Sequence, residues 1–108
     1  MSKYKIILTT TDSTETVNTI SDNILNAQLS PCIQTLKGIE SKYIWKGKIR
    51  TDSEFLVLIK SLDAHSNEIC ELIERHHNYD TPEIIKLDFD ILSKKYQNWF
   101  LNEIKHEN

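Results

Sequence analysis

Cys32, His77 and Glu83 are candidate ligands for a divalent metal ion. A cysteine thiolate is the preferred donor of soft and borderline metals such as copper, zinc and mercury, which makes Cys32 the first candidate ligand. At the start of a strand, the same residue also reads as a small buried hydrophobe, the usual fate of a free cysteine. His76 and His77 are neighbours at a predicted helix end. Adjacent helical residues point about 100° apart, so the two imidazoles cannot chelate one ion as an i, i+4 pair would; one turns inward or meets the last helical carbonyls. His77 is therefore either a ligand or a cap. Glu83 follows Pro82 where a loop enters a strand, and with His77, Tyr79 and Asp80 it gives a polar loop able to line a cleft or to touch another subunit. His65 and His106 read as solvated surface residues.

A second grouping suits a small organic or anionic ligand. Trp45, Lys60, Tyr79 and Glu83 would line a ligand cleft, although a lysine at a strand end is usually just exposed. Tyr43 and Trp45 read as anchors of a subunit interface rather than as a base-stacking platform, with only Lys42, Lys46, Lys48 and Arg50 as basic neighbours. With two glycines there is no phosphate-binding loop or dinucleotide fingerprint, and neither HExxH nor CxxC occurs. No nucleophile with a base in reach is legible, so the chain reads as a non-enzyme with no obligatory cofactor.

These residues are placed by a long predicted hairpin over residues 39–60. Tyr43, Ile44 and Trp45 form one arm, residues 55–59 the other, and Lys46-Gly47 the turn, which need not be tight. The second arm is apolar without alternation, as in a strand covered on both faces. Residues 4–10 form a first strand of the same central kind. Asp12, with Glu15 three residues on, opens a helix carrying Val17, Ile20, Ile24, Leu25 and then Leu29. Pro31 ends it, Cys32 to Leu36 begins a second strand, and Gly38 marks a bend or bulge. Asp63 caps a second helix with Ile69, Leu72, Ile73 and His76 on its apolar face, ending near His77. Residues 78–82 are a loop, residues 85–91 alternate as an edge strand, and Ser93 caps a last helix whose buried stripe is Tyr96, Trp99, Phe100 and Ile104. The tail after Ile104 is expected to fray.

The order is β-α-β-β-α-β plus a helix, an α+β ferredoxin-like sandwich with a long hairpin between its second and third strands. Two helices cover one face of the sheet, and self-association should bury the other. At 108 residues, 39% hydrophobic and 27% charged, the chain is one globular domain, 1–108. Its net charge of −3 is interspersed, which argues against nucleic acid and an anionic membrane surface. No apolar run reaches bilayer length, the start passes into a strand without a signal-peptide pattern, and two distant cysteines fit a reducing compartment; together these predict a cytoplasmic protein.

Several stretches resemble one family. Thr9-Thr10-Thr11-Asp12, the single Cys32 at a strand start, the Tyr43-Ile44-Trp45-Lys46-Gly47-Lys48-Ile49 segment, Glu54 with Leu58-Ile59-Lys60, the run from His76 to Ile85, and Tyr96-x-x-Trp99 together resemble CutA, the divalent-cation tolerance family. The resemblance covers nearly the whole chain. It implies a homotrimer shaped like the PII signalling proteins, concerned with tolerance of copper and other divalent metal ions. Two departures stand out: Pro31-Cys32-Ile33-Gln34 replaces the usual Ala-Cys-Val-Asn, and His77-Asn78-Tyr79-Asp80 replaces the frequent His-Pro-Tyr-Glu. The alternative to a metal role is a PII-like trimer that binds a small ligand between subunits, or one that anchors an unknown protein partner.

Overall fold

The structure, a computed structural model, describes residues 2–106. The chain runs β1 (Tyr4–Thr11), α1 (Thr14–Asn26), β2 (Cys32–Trp45), β3 (Lys48–Leu62), a single 3-10 turn (Asp63–His65), α2 (Ser66–His76), β4 (Ile85–Asp88) and α3 (Lys94–Glu103). The strands make one antiparallel sheet in the order β2-β3-β1-β4. This is the expected ferredoxin-like α+β arrangement with its long hairpin and added helix.

Alternation along the central strands sorts their side chains into two layers. Ile7, Val57 and Ile59 face α1 and α2 and build the main core with Val17, Ile20, Ile24, Ile69 and Ile73. Leu29 joins that core although it lies beyond α1, because the helix ends in a Schellman motif. Gln28 takes a left-handed φ of 59°, the Leu29 amide bonds the Ile24 carbonyl at 3.2 Å, and the Gln28 amide bonds that of Leu25 at 3.0 Å. The motif turns Leu29 back onto Ile24, both fully buried, while Leu25 stays exposed. At the other end Ser13, not Asp12, is the N-cap, its side chain accepting from the Thr16 amide at 3.1 Å.

The opposite layer is only partly covered. α3 crosses it near Tyr4 and Leu62, and Phe100 and Ile104 pack there with Phe89 and Ile91. Gln97 Nε2 donates to the Tyr4 hydroxyl at 2.9 Å, and Ser93 caps α3 as expected. Trp99, however, is 42% exposed and does not belong to the buried stripe. Beyond α3, register places Ile6, Leu8, Leu56, Leu58, Leu36, Ile85 and Leu87 on one side of the sheet, outside both buried clusters of the described residues. Leu36, Ile85 and Leu87 are exposed there.

Past Thr11, paired with Phe55, β3 has no β1 neighbour, so β2 and β3 continue as a two-stranded arm. Seven residues at roughly 3.3 Å each carry it about 23 Å outward, and the molecule measures 45 × 26 × 23 Å. The turn is tighter than expected. Trp45 pairs with Lys48, and Lys46 and Gly47 both have positive φ, at 51° and 76°, the two-residue type I′ geometry that matches strand twist. Between Leu36 and Ile39 a bulge sets Lys37 and Gly38 against Phe55 alone, as the glycine predicted.

Other boundaries differ from expectation for local reasons. β4 stops at Asp88, because Phe89 turns onto the Tyr4 ring, 5.6 Å away. Asp63 caps nothing; its carboxylate pairs with Lys86 at 3.0 Å, which holds its pKa below the ordinary value. His65 is buried rather than solvated, and its Nε2–H donates to the Lys105 carbonyl at 2.9 Å. The Lys105 amide in turn bonds the Gln28 carbonyl at 2.7 Å, so the tail does not fray at Lys105. His106 is exposed and outside any helix or strand, and residues 107–108 of the tail expected to fray lie outside the described residues.

Candidate functional site

β4 pairs with β1 only from Lys5 to Leu8, leaving the last residues of β1 without that edge partner. The loop after α2 fills the gap. His77 Nε2 lies 2.9 Å from the Thr10 carbonyl, and the Tyr79 amide lies 3.0 Å from His77 Nδ1. A carbonyl only accepts and an amide N–H only donates, so the proton sits on Nε2 and Nδ1 carries its lone pair. His77 is thus a neutral imidazole with both nitrogens engaged, and burial lowers its pKa. Asn78 accepts from Thr11 Oγ1 at 2.6 Å and donates to Asp12 at 2.8 Å. Its position, a departure from the family pattern, therefore fastens the loop to the start of α1.

Tyr79 continues this chain of contacts. Its ring packs 4.9 Å from the His77 ring, and its hydroxyl donates to Glu54 Oε2 at 2.7 Å. Burial first, then the Glu54 carboxylate, push the phenol pKa well up, so Tyr79 acts as a donor. Glu54 is 7% exposed, and a buried carboxylate requires such a partner. In the sequence Glu54 stands out only as part of the family resemblance and as a charged residue immediately before the apolar run 55–59, and neither gives it a role.

Cys32 lies elsewhere. It pairs with Lys60, which pairs with Ile6, whereas His77 touches Thr10, four strand positions and about 13 Å further along the sheet. Glu83 is exposed in the loop before β4. Within one chain, the three expected metal ligands therefore do not converge, and His77 has no free nitrogen to offer. Among the described residues, no group of three or more His, Cys, Asp or Glu is placed to hold a metal ion. The thiol of Cys32 is free and half-buried on the uncovered side of the sheet. Cys70, on α2, is also free, but burial and the Glu74 carboxylate raise its thiol pKa and disfavour its thiolate.

The expected ligand cleft is likewise not formed by one chain. Lys60 Nζ sits 5.7 Å above the Tyr96 ring, tucked beside α3, while Tyr79 meets Glu54 six residues away along β3. Tyr43 and Trp45 stand near the tip of the arm, opposite Arg50 and Lys48, on the same side of β3 as Leu56 and Leu58. Trp45 is 44% exposed, and on the other side of the arm Ile44 and Ile49 face each other at 74% exposure. The Tyr43 hydroxyl bonds Asp52, which pushes its pKa up. No helix among the described residues is long and apolar enough to cross a membrane.

Comparison with known proteins places these features in a family. Residues 5–103 match the family described as CutA1 divalent ion tolerance protein. The rice "Protein CutA 1, chloroplastic" is 31% identical over 100 residues, 93% of this chain but 56% of that protein, so the chain spans just over half the length of this plant relative. The "Divalent-cation tolerance protein CutA" of Pectobacterium atrosepticum is 31% identical over 94 residues, covering 87% of this chain and 86% of the relative. Among solved structures, CutA from Xylella fastidiosa superposes with a TM-score of 0.89 at 30% identity, covering 96% of this chain and 100% of that one. CutA1 from Oryza sativa gives 0.90 at 29% identity over 98% and 97% of the two chains. With a family match over residues 5–103 and a shared fold, the chain belongs to the CutA1 divalent ion tolerance family.

Proposed function

We propose that the chain works as a homotrimer that binds or responds to copper and other divalent metal ions, without catalysis. The observation that carries this reading is the uncovered half of the sheet. Its apolar rows and the outstretched arm need a partner, and Cys32 is the soft donor on that same side. Because Cys32, His77 and Glu83 stay apart within one chain, a metal centre would form where subunits meet, with Cys32 contributed by one of them. The free thiols fit a cytoplasmic, reducing location.

A second reading rests on the buried Glu54 carboxylate and Tyr79 at the root of the arm. In an assembly, these would meet Trp45 or Lys60 of another subunit and make a cleft for a small ligand, as in a PII-like signalling or protein-anchoring trimer.

Calorimetry with Cu²⁺, Zn²⁺ and nucleotides on one sample, alongside sedimentation, separates the two. The metal reading expects a trimer at low micromolar concentration and Cu²⁺ binding that releases protons and strengthens with pH. Cys32→Ser should weaken that binding by at least about tenfold while the trimer persists. A folded monomer, or a Cys32→Ser variant that binds Cu²⁺ like the parent, defeats it. Nucleotide binding with no metal heat favours the cleft.

A further inference from the structure

The arm leaves the sheet at a weak point. Beyond Phe55 it is a ribbon of two strands, and such a ribbon, without a third strand or a helix on it, is marginal in water and free to twist. The bulge at Lys37 and Gly38, opposite Phe55, adds a local bend at the same level. Among the described residues, the only side-chain hydrogen bond from residues 37–54 to the rest of the chain is that from Tyr79 to Glu54. It falls next to the bulge, since Glu54 pairs with Ile39.

Tyr79 is itself held from behind. His77 Nδ1 accepts a hydrogen bond from its amide, the two rings pack together, and His77 Nε2–H donates to the Thr10 carbonyl. A continuous set of contacts thus runs from the end of β1, through His77 and Tyr79, to the root of the arm.

We propose that this set is a clamp: His77 positions Tyr79, Tyr79 grips Glu54, and the grip fixes the angle at which the hairpin arm leaves the sheet. A consequence for assembly, resting on the trimer reading above, is that the clamp presents Tyr43 and Trp45 to a neighbouring subunit in one orientation. The loop carrying His77 and the arm carrying Trp45 are then coupled, so that a ligand engaging the loop would be felt at the subunit contact. A buried Glu54 that merely needed a hydrogen bond would give the same distances without this control of the arm.

Hydrogen exchange distinguishes these. Tyr79→Phe keeps the ring and deletes only the hydroxyl. The clamp expects amides at residues 39–41 and 53–55 to exchange about tenfold faster in this variant, the amides of Ile7 and Ile59 to be unchanged, and the trimer to dissociate about tenfold more readily. Glu54→Gln retains an acceptor oxygen and should exchange like the parent, whereas Glu54→Leu should reproduce Tyr79→Phe. Unchanged exchange at the root of the arm overturns the clamp, and so does a rise spread evenly over the core. If the parent itself sediments as a monomer, the trimer reading fails, and the exchange pattern still decides the clamp.

Discussion

The two sides of the central sheet are built to different specifications. Toward α1 and α2, Ile7, Val57 and Ile59 are sealed among helical isoleucines by the chain itself. On the other side, one residue along each strand, Leu8, Leu56 and Leu58 are only half-buried, and the covering α3 lies over Tyr4 and Leu62, with Lys60 at its edge. Similar residue types in the same strands thus do two jobs. One side closes a fold, and the other leaves part of its apolar surface unsealed.

The largest effect that would sharpen this contrast is expected at Ile59. Truncation to Ala leaves a void in a closed core and should cost about 3 kcal/mol of unfolding stability by denaturant titration. Leu56→Ala, on the partly covered side of the same strand, should act mainly on sedimentation; equal losses of unfolding stability would erase the distinction between the sides. Next comes Trp45→Ala, which should weaken association by about 2 kcal/mol per subunit, the scale of a buried aromatic anchor. An unchanged oligomer would mean that the ring is ordinary surface. Third, Ser13→Ala should cost about 1 kcal/mol on the closed side by removing the α1 cap, with Asp12→Ala costing less. A reversed order would restore Asp12 as the cap.

The smallest effect is in pH. Burial lowers the His77 pKa in the folded state, so its contribution to stability is fully present above its ordinary value of 6.5 and is lost as pH falls through the folded value. The thermal midpoint should therefore drop between pH 7.5 and 5.5, and His77→Gln should reduce that drop. Asp88, held below its ordinary 3.8 by the Lys5 ammonium, adds a contribution present above 3.8 and lost only in stronger acid.

What was legible in the sequence is what periodicity dictates. The double-sided apolar run at residues 55–59, the bulge at Gly38 and the Ser93 cap are written locally, and the structure has them where expected. What depends on a distant neighbour was not legible. His65 looks like any polar residue before a helix until the Lys105 carbonyl arrives beside it. Asp12 fits a capping pattern, yet Asn78 engages its carboxylate and Ser13 takes the capping role. His77 looked like a candidate ligand because nothing local announces that the end of β1 outruns its edge partner and leaves the Thr10 carbonyl to be satisfied.

The bulge has a bearing on how the arm tolerates changes in length. On β2, the residues sharing the face of Leu56 and Leu58 are even-numbered up to Leu36 and odd-numbered from Ile39 onward, because Lys37 and Gly38 together oppose Phe55. Two stretches written in opposite phase are joined at that step. Removing Lys37 would make the count one-to-one and leave Ile39 opposite Glu54, so Tyr43 and Trp45 would keep their face and only the local bend would be lost. Removing a single residue elsewhere along the arm would send every side chain beyond it to the opposite face. The step at Lys37 and Gly38 is thus the place in β2 where a one-residue deletion is neutral for the orientation of everything downstream.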